Sequence, residues 1–184
     1  MFRTYLDYRG EYLFESNRVK SYFTLRIQPR EDKYYLLQIV DSPRGRETVT
    51  NTILTVDGMT TTEKKIESNS NDLLFSAQIA KRYYDLGIRA GLFESTGGAG
   101  IDYYLFKDQL KLSFEAFDFD IEKRPHLAFK VDYQPFKFLY LTTGVDDFIS
   151  DIGRESYFVG GGFNFSDEDI KTLLRSVTFT ARTD

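Results

Sequence analysis

Apolar and polar residues alternate with a period of two along most of this chain. From Phe2, one set reads Phe2, Thr4, Leu6, Tyr8, Gly10, Tyr12, Phe14; the other reads Arg3, Tyr5, Asp7, Arg9, Glu11. Successive side chains of a strand point to opposite faces, so this spacing predicts a strand with one apolar and one charged face. After a turn signal at Glu15-Ser16-Asn17, Val19 to Ile27 oppose Lys20 to Gln28. Pro29-Arg30-Glu31-Asp32 predicts a turn, and Lys33 to Asp41 a returning strand. Residues 42–71 are harder to read: a turn at Ser42-Pro43-Arg44-Gly45, a Thr-rich strand from Thr48 to Asp57, then a polar stretch from Gly58. That stretch is either a long loop or a strand extending beyond the wall. Alternation resumes at Leu73 and continues through segments centred on Ile88, Tyr103, Phe114, Phe129 and Leu141 to Glu155–Phe165.

Eleven strands are readable, most near ten residues long and joined by short turns. Short turns pair neighbours in sequence order, which predicts an all-β, closed antiparallel up-and-down barrel of about 10–12 strands. A twelfth strand falls in residues 46–71 or in Arg175–Arg182. The barrel is expected over residues 1–165, with 166–184 a tail holding a short helix near Asp167–Leu174 or a final strand.

The charged face is too polar for a protein core. Asp7, Arg9, Glu11, Arg26, Arg82, Arg89, Asp102, Lys111, Glu115 and Lys130 fall on it under the alternation. In one reading they face water and the apolar face packs a lipocalin-like or sandwich core. In the other they line or plug a lumen and the apolar face meets lipid. Both share the same period, so alternation alone does not separate them. Strand lengths above the usual ~5–6 residues favour the second. So do aromatics at strand ends, which would form an interfacial girdle: Tyr12, Phe14, Tyr83, Tyr84, Tyr133, Phe136, Phe138, Tyr157 and Phe158. The expectation is therefore an outer-membrane type of barrel.

Composition adds to this in three places. Tyr and Phe together make up 16% of the chain with no Trp, which suits strands and rims. A net charge of −4, with Lys and Arg scattered, argues against a nucleic-acid partner. The absence of Cys removes disulfides and thiolate metal sites. Met1 leads directly into a strand pattern, so an exported protein is expected either to have lost its signal or to be the C-terminal part of a longer chain.

Several strings in order carry a resemblance: Leu74–Arg82, Gly87–Tyr104, Leu112–Phe119, Arg124–Leu127, Gly144–Phe148, Phe158–Phe163 and Asp167–Lys171, with Tyr8–Phe14 and Gln28–Tyr35 before them. The series resembles the C-terminal region of MCE (MlaD-like) lipid-transport proteins of diderm bacteria. The resemblance implies an outer-membrane anchor or exit portal for phospholipid or other hydrophobic molecules, with membrane lipids and other subunits of an MCE assembly as partners. The alternative is a soluble periplasmic barrel binding lipid or a partner protein, which would have a wide apolar cavity and outward charges.

No catalytic set is readable. His126, the single His, is expected at a rim; an enzyme acting on lipids would need a nucleophile beside it. Asp146-Asp147 and Asp167-Glu168-Asp169 read as acidic turns and a helix start, without the spacing of a calcium loop. Glu94–Gly100 lacks the Lys of a phosphate loop and reads as a tight turn or a place where backbones come close. No cofactor or metal is expected. The lumen charges are the functional candidates, either as a paired plug or as the lining of a polar path.

Overall fold

The computed structural model describes residues 3–43, 46–56, 59–69, 73–119, 124–149, 156–169 and 171, with the backbone alone described over 46–69. Among the described residues there are twelve strands: β1 (Arg3–Leu13), β2 (Arg18–Arg30), β3 (Lys33–Asp41), β4 (Arg46–Val56), β5 (Met59–Asn69), β6 (Leu73–Tyr83), β7 (Leu86–Phe93), β8 (Thr96–Leu105), β9 (Leu110–Phe117), β10 (His126–Tyr133), β11 (Leu139–Asp146) and β12 (Ser156–Ser166). Ten of them close into an antiparallel barrel in which strands follow one another in chain order, β4 and β5 apart, and β1 pairs with β12. β4 and β5 pair only with each other, and β3 pairs directly with β6 beneath them. The strand reading of 59–69 is therefore right, but the hairpin is an insertion and not part of the wall. The suggested strand at 175–182 lies outside the described residues.

Tight turns set the register. Glu94 and Ser95 both have positive φ, of 46° and 70°, between β7 and β8, as a two-residue turn matched to sheet twist requires. Pro29 was read as part of a turn, but β2 runs on to Arg30 with an irregularity in its pairing between Ile27 and Arg30. Proline has no N–H to give the ladder, so it is accommodated at a bulge.

The alternation resolves into inside and outside with few departures. Odd residues of β1 and even residues of β2 point inward, and the parity carries round the barrel to β12. The outer wall is apolar: Phe23, Leu37, Phe75, Ile79, Ile88, Ile101, Phe114, Phe129, Leu141 and Phe163 are all exposed. The described charges on outward strand positions, Arg30, Lys33, Asp41 and Lys81, sit at or near strand ends. Within the strands, then, the usual polarity of a globular protein is reversed.

Of the expected girdle, Tyr12, Phe14, Tyr83, Tyr84, Tyr133, Phe136, Phe138 and Tyr157 are exposed. Phe158 is not, with only 2% of its surface accessible. It lies on the inward parity of β12, opposite Leu13, and joins Leu13, Val40, Leu74, Phe93 and Phe117 in an apolar layer across the end of the lumen where β1 finishes. We call this the upper end; Arg3 and Ser166 mark the lower.

Candidate functional site

Below the apolar layer the lumen is charged. Arg89 enters from β7 opposite Gly100 of β8, whose missing side chain leaves the guanidinium room to lie flat; an added Cβ would stand 3.2 Å from its Nη2. The guanidinium meets Asp102 at 2.8 Å and Glu115 at 2.9 Å, and donates to Gln78 Oε1 at 2.9 Å. Lys130 completes the group, 2.7 Å from the other Glu115 oxygen. Ser113 and Tyr34 donate to Asp102 at 2.8 and 3.4 Å. Four of the expected lumen residues thus form one network across β7, β8, β9 and β10.

The others fall in smaller sets. Arg9 pairs with Glu11 at 3.0 Å and stacks over the Tyr22 ring at 4.1 Å. Lys111 pairs with Asp132 at 2.8 Å, and Asp7 accepts the Tyr140 hydroxyl at 3.0 Å. Arg82, at the lower rim, forks onto both oxygens of Asp108 in the β8–β9 turn. These bonds hold the Asp108 carboxyl below the ordinary carboxylate range. Asp169, after β12, is lowered to about 2 by hydrogen bonds from Lys137 and Ser166. Arg26 lies over the rings of Tyr34 and Tyr5 and donates to Gln28 at 3.0 Å.

Sequence reading missed a further cluster. Lys20 lies 2.6 Å from Glu94 and 3.8 Å from Asp146, and Asp146 bonds His126 at 2.7 Å. Asp146 was read as part of a solvated acidic turn, but it ends β11 on the inward parity and is buried. Its parity with Tyr140 and Thr142 was the available signal. His126 opens β10 and stacks on Phe117, ring centres 4.3 Å apart. Tyr22, Tyr34, Tyr104 and Tyr140 also line the lumen; Tyr22 and Tyr104 share the parity of Lys20 and Asp102, and Tyr140 that of Asp146, whereas the inward face of β3 carries no charge beside Tyr34. Among the described residues, no group of three or more His, Asp or Glu is arranged to hold a metal.

Between these groups runs an open cavity of about 450 Å³, lined from Arg3 and Lys137 at the lower end to Phe93 and Glu94 at the upper. Its lining is rich in charged and hydroxyl-bearing side chains. The wide apolar cavity and outward charges expected of the soluble alternative are therefore reversed in this barrel.

A family model described as a lipocalin-like domain matches residues 4–172, nearly the whole barrel and the turn that follows it. The chain belongs to the lipocalin-like family. An uncharacterized protein of Aquifex aeolicus (strain VF5) is 32% identical, over 94% of this chain and 54% of its own length. The chain thus spans about half of that relative. No solved structure matches it.

Lipocalin-like membership overturns the MCE resemblance, and with it the outer-membrane module of an MCE-type lipid-transport system. The strings behind the resemblance are short runs of glycine, aromatics and alternating charge. An antiparallel barrel produces such runs wherever strands turn tightly or approach closely, so they report architecture more than ancestry. A lipocalin-like barrel is compatible with a periplasmic setting, and an outer-membrane address gains no support from it.

Proposed function

We propose that this lipocalin-like barrel binds lipid, and that it does so with its outer wall and not its lumen. One observation carries the reading: an uncharged belt of exposed Phe, Ile, Leu, Val and Tyr side chains passes round all ten barrel strands. Contiguous apolar surface beyond a few hundred Å² is rare on a protein that meets only water and marks an interaction face. The belt closes on itself, so the complementary partner is a surrounding apolar phase and not a single flat face. Strands of 8 to 13 residues give it a height comparable with the ~9–11 tilted residues that cover bilayer hydrocarbon. The lumen is the poorer lipid site, because its charges would have to give up their pairs to admit an acyl chain.

Single cysteines at Leu112 and Lys111, adjacent on β9, test this. Leu112 lies on the outward parity and Lys111 on the inward. With a water-soluble thiol reagent, L112C is expected to react in lipid-free buffer and to be shielded when phospholipid vesicles are added, while K111C is unchanged by vesicles. Equal labelling of L112C with and without vesicles, in a protein that stays monodisperse without detergent, overturns the reading.

A second reading, favoured by the cavity itself, is a soluble barrel that takes a polar ligand into the lumen. It requires the belt to be covered in some other way, and an apolar partner protein is the candidate. Detergent-free solubility together with a stable protein complex would support it.

A further inference from the structure

At the lower end of the lumen the charges do not balance in the way they do higher up. Arg82 is matched by Asp108, Lys111 by Asp132 and Lys137 by Asp169. Arg26 is not matched. Its guanidinium carbon sits over the Tyr34 ring, 4.1 Å from the centroid, with Tyr5 at 5.4 Å, and its hydrogen bond goes to the neutral Gln28. Its Nε is buried without a partner. Asp108 is within electrostatic reach, but both of its oxygens are taken by Arg82. Arg3 stands directly across from Gln28, as Tyr5 does from Arg26, so a second cation without a described carboxylate partner lies on the same inward face. Arg3, Tyr5, Arg26, Gln28 and Tyr34 all line the cavity.

We propose that this lower mouth of the lumen is an oxyanion site for a phosphate group, with Arg26 as its principal ligand and Arg3 as the second cation. A guanidinium presents a planar fork of donors that fits two phosphate oxygens at once. Contact with the Tyr34 and Tyr5 rings restrains the guanidinium before the anion arrives, and the buried Nε is a donor already desolvated and without an acceptor. The cavity volume falls within the ~300–1,000 Å³ of small-molecule sites, but its polar walls select a head group and not a tail. The phosphate comes from one of two sources: free in solution, or carried on a phospholipid whose tails stay outside. The site is independent of the wall's contact with lipid, so either proposal can fail alone.

The test is calorimetric titration of the 184-residue chain, in parallel arms, with inorganic phosphate, with glycerol 3-phosphate and with a short-chain phosphatidic acid below its micelle concentration. Saturable binding is expected for wild type, weakened at least tenfold in R26Q and only partly restored in R26K, which returns the charge without the fork. R3Q is expected to weaken it less. Inorganic phosphate binding as tightly as the lipid assigns the free ion as source; preference for glycerol 3-phosphate and phosphatidic acid assigns the head group. Absence of saturable binding in every arm overturns the proposal. So does equal binding by wild type and R26Q. Should R26Q not fold, thiol labelling of L36C, which stands across from Arg26 and lines the cavity, provides the reading in an otherwise wild-type barrel: saturable protection by phosphate supports the site, and no protection overturns it.

Discussion

Arg89 shows what the lumen asks of a single side chain. It stands between two buried carboxylates, Asp102 and Glu115. Removing one member of a buried, hydrogen-bonded ion group costs ~3–5 kcal/mol, because the partners stay buried without compensation. Equilibrium unfolding of R89M is expected to show a loss of that size, and a triple variant that also carries D102N and E115Q to recover part of it. At the rim, the Arg82–Asp108 pair makes a pH prediction. The folded carboxyl of Asp108 titrates below its unfolded value, so the pair stabilises the barrel above an unfolded pKa of ~3.9 and loses that contribution as pH falls through the folded value. Unfolding midpoints measured from pH 5 to pH 2 are expected to drop further for wild type than for D108N. The ten lumen candidates were legible in sequence from parity alone. Their pairings were not, because partners such as Lys20 and Glu94 come from strands far apart in the chain. Phe158 was misassigned for a related reason: an aromatic near a strand end serves a rim and an end layer equally well, and parity only decides once the strand's start is known.

Strands were legible wherever one face is charged and the other apolar, and most turns from Asn, Asp or Gly; Pro29 misled, because it sits in a bulge of β2 and not in a turn. The period is weakest at β4 and β5: Thr48–Asp57 is readable as a Thr-rich strand, but Met59–Asn69 is polar almost throughout and reads equally as a loop or a strand. Because β3 pairs with β6 from Asp41↔Leu73 onward, the wall does not depend on this hairpin. Replacing residues 43–72 with a two-residue turn is expected to leave a folded ten-stranded barrel, judged by far-UV circular dichroism and an unchanged cooperative melt. Within β7, Gly91 has φ of +144°, and an added Cβ would lie 2.3 Å from the Ala77 carbonyl oxygen. Backbone cannot move aside as a side-chain tip can, so G91A is expected to cost at least ~1–3 kcal/mol. Gly97, with nothing within 4 Å of an added Cβ, is the control: G97A should stay within ~0.5 kcal/mol of wild type.

For the molecule as a whole, the question left open by alternation was which face is wet. The closed barrel puts the charges inside and the apolar belt outside, a distinction that needs closure and so is absent from any single strand. Placing a charge on the belt measures its surroundings. I101R, at an outward position of β8, is expected to cost ~2–4 kcal/mol in vesicles or detergent micelles if the belt is immersed in lipid. In water the same substitution would fall within ~0.5 kcal/mol. Family assignment was the least legible level, since glycine and aromatic runs arise from barrel geometry in unrelated chains.

The pairing of β1 with β12, Tyr5 beside Ser166, has a kinetic side. Eight of the barrel's seams join strands consecutive in sequence and can zip as hairpins, a ninth joins β3 to β6 across the inserted hairpin, and the tenth joins the first and last strands of the barrel. Loop-closure entropy for that seam is the largest in the molecule and is met last. Until it forms, β1 and β12 are open edges with unpaired backbone groups. The slow step of folding is therefore expected to be cylinder closure, and the species just before it, a curled sheet with two sticky margins, is where self-association competes with the native state.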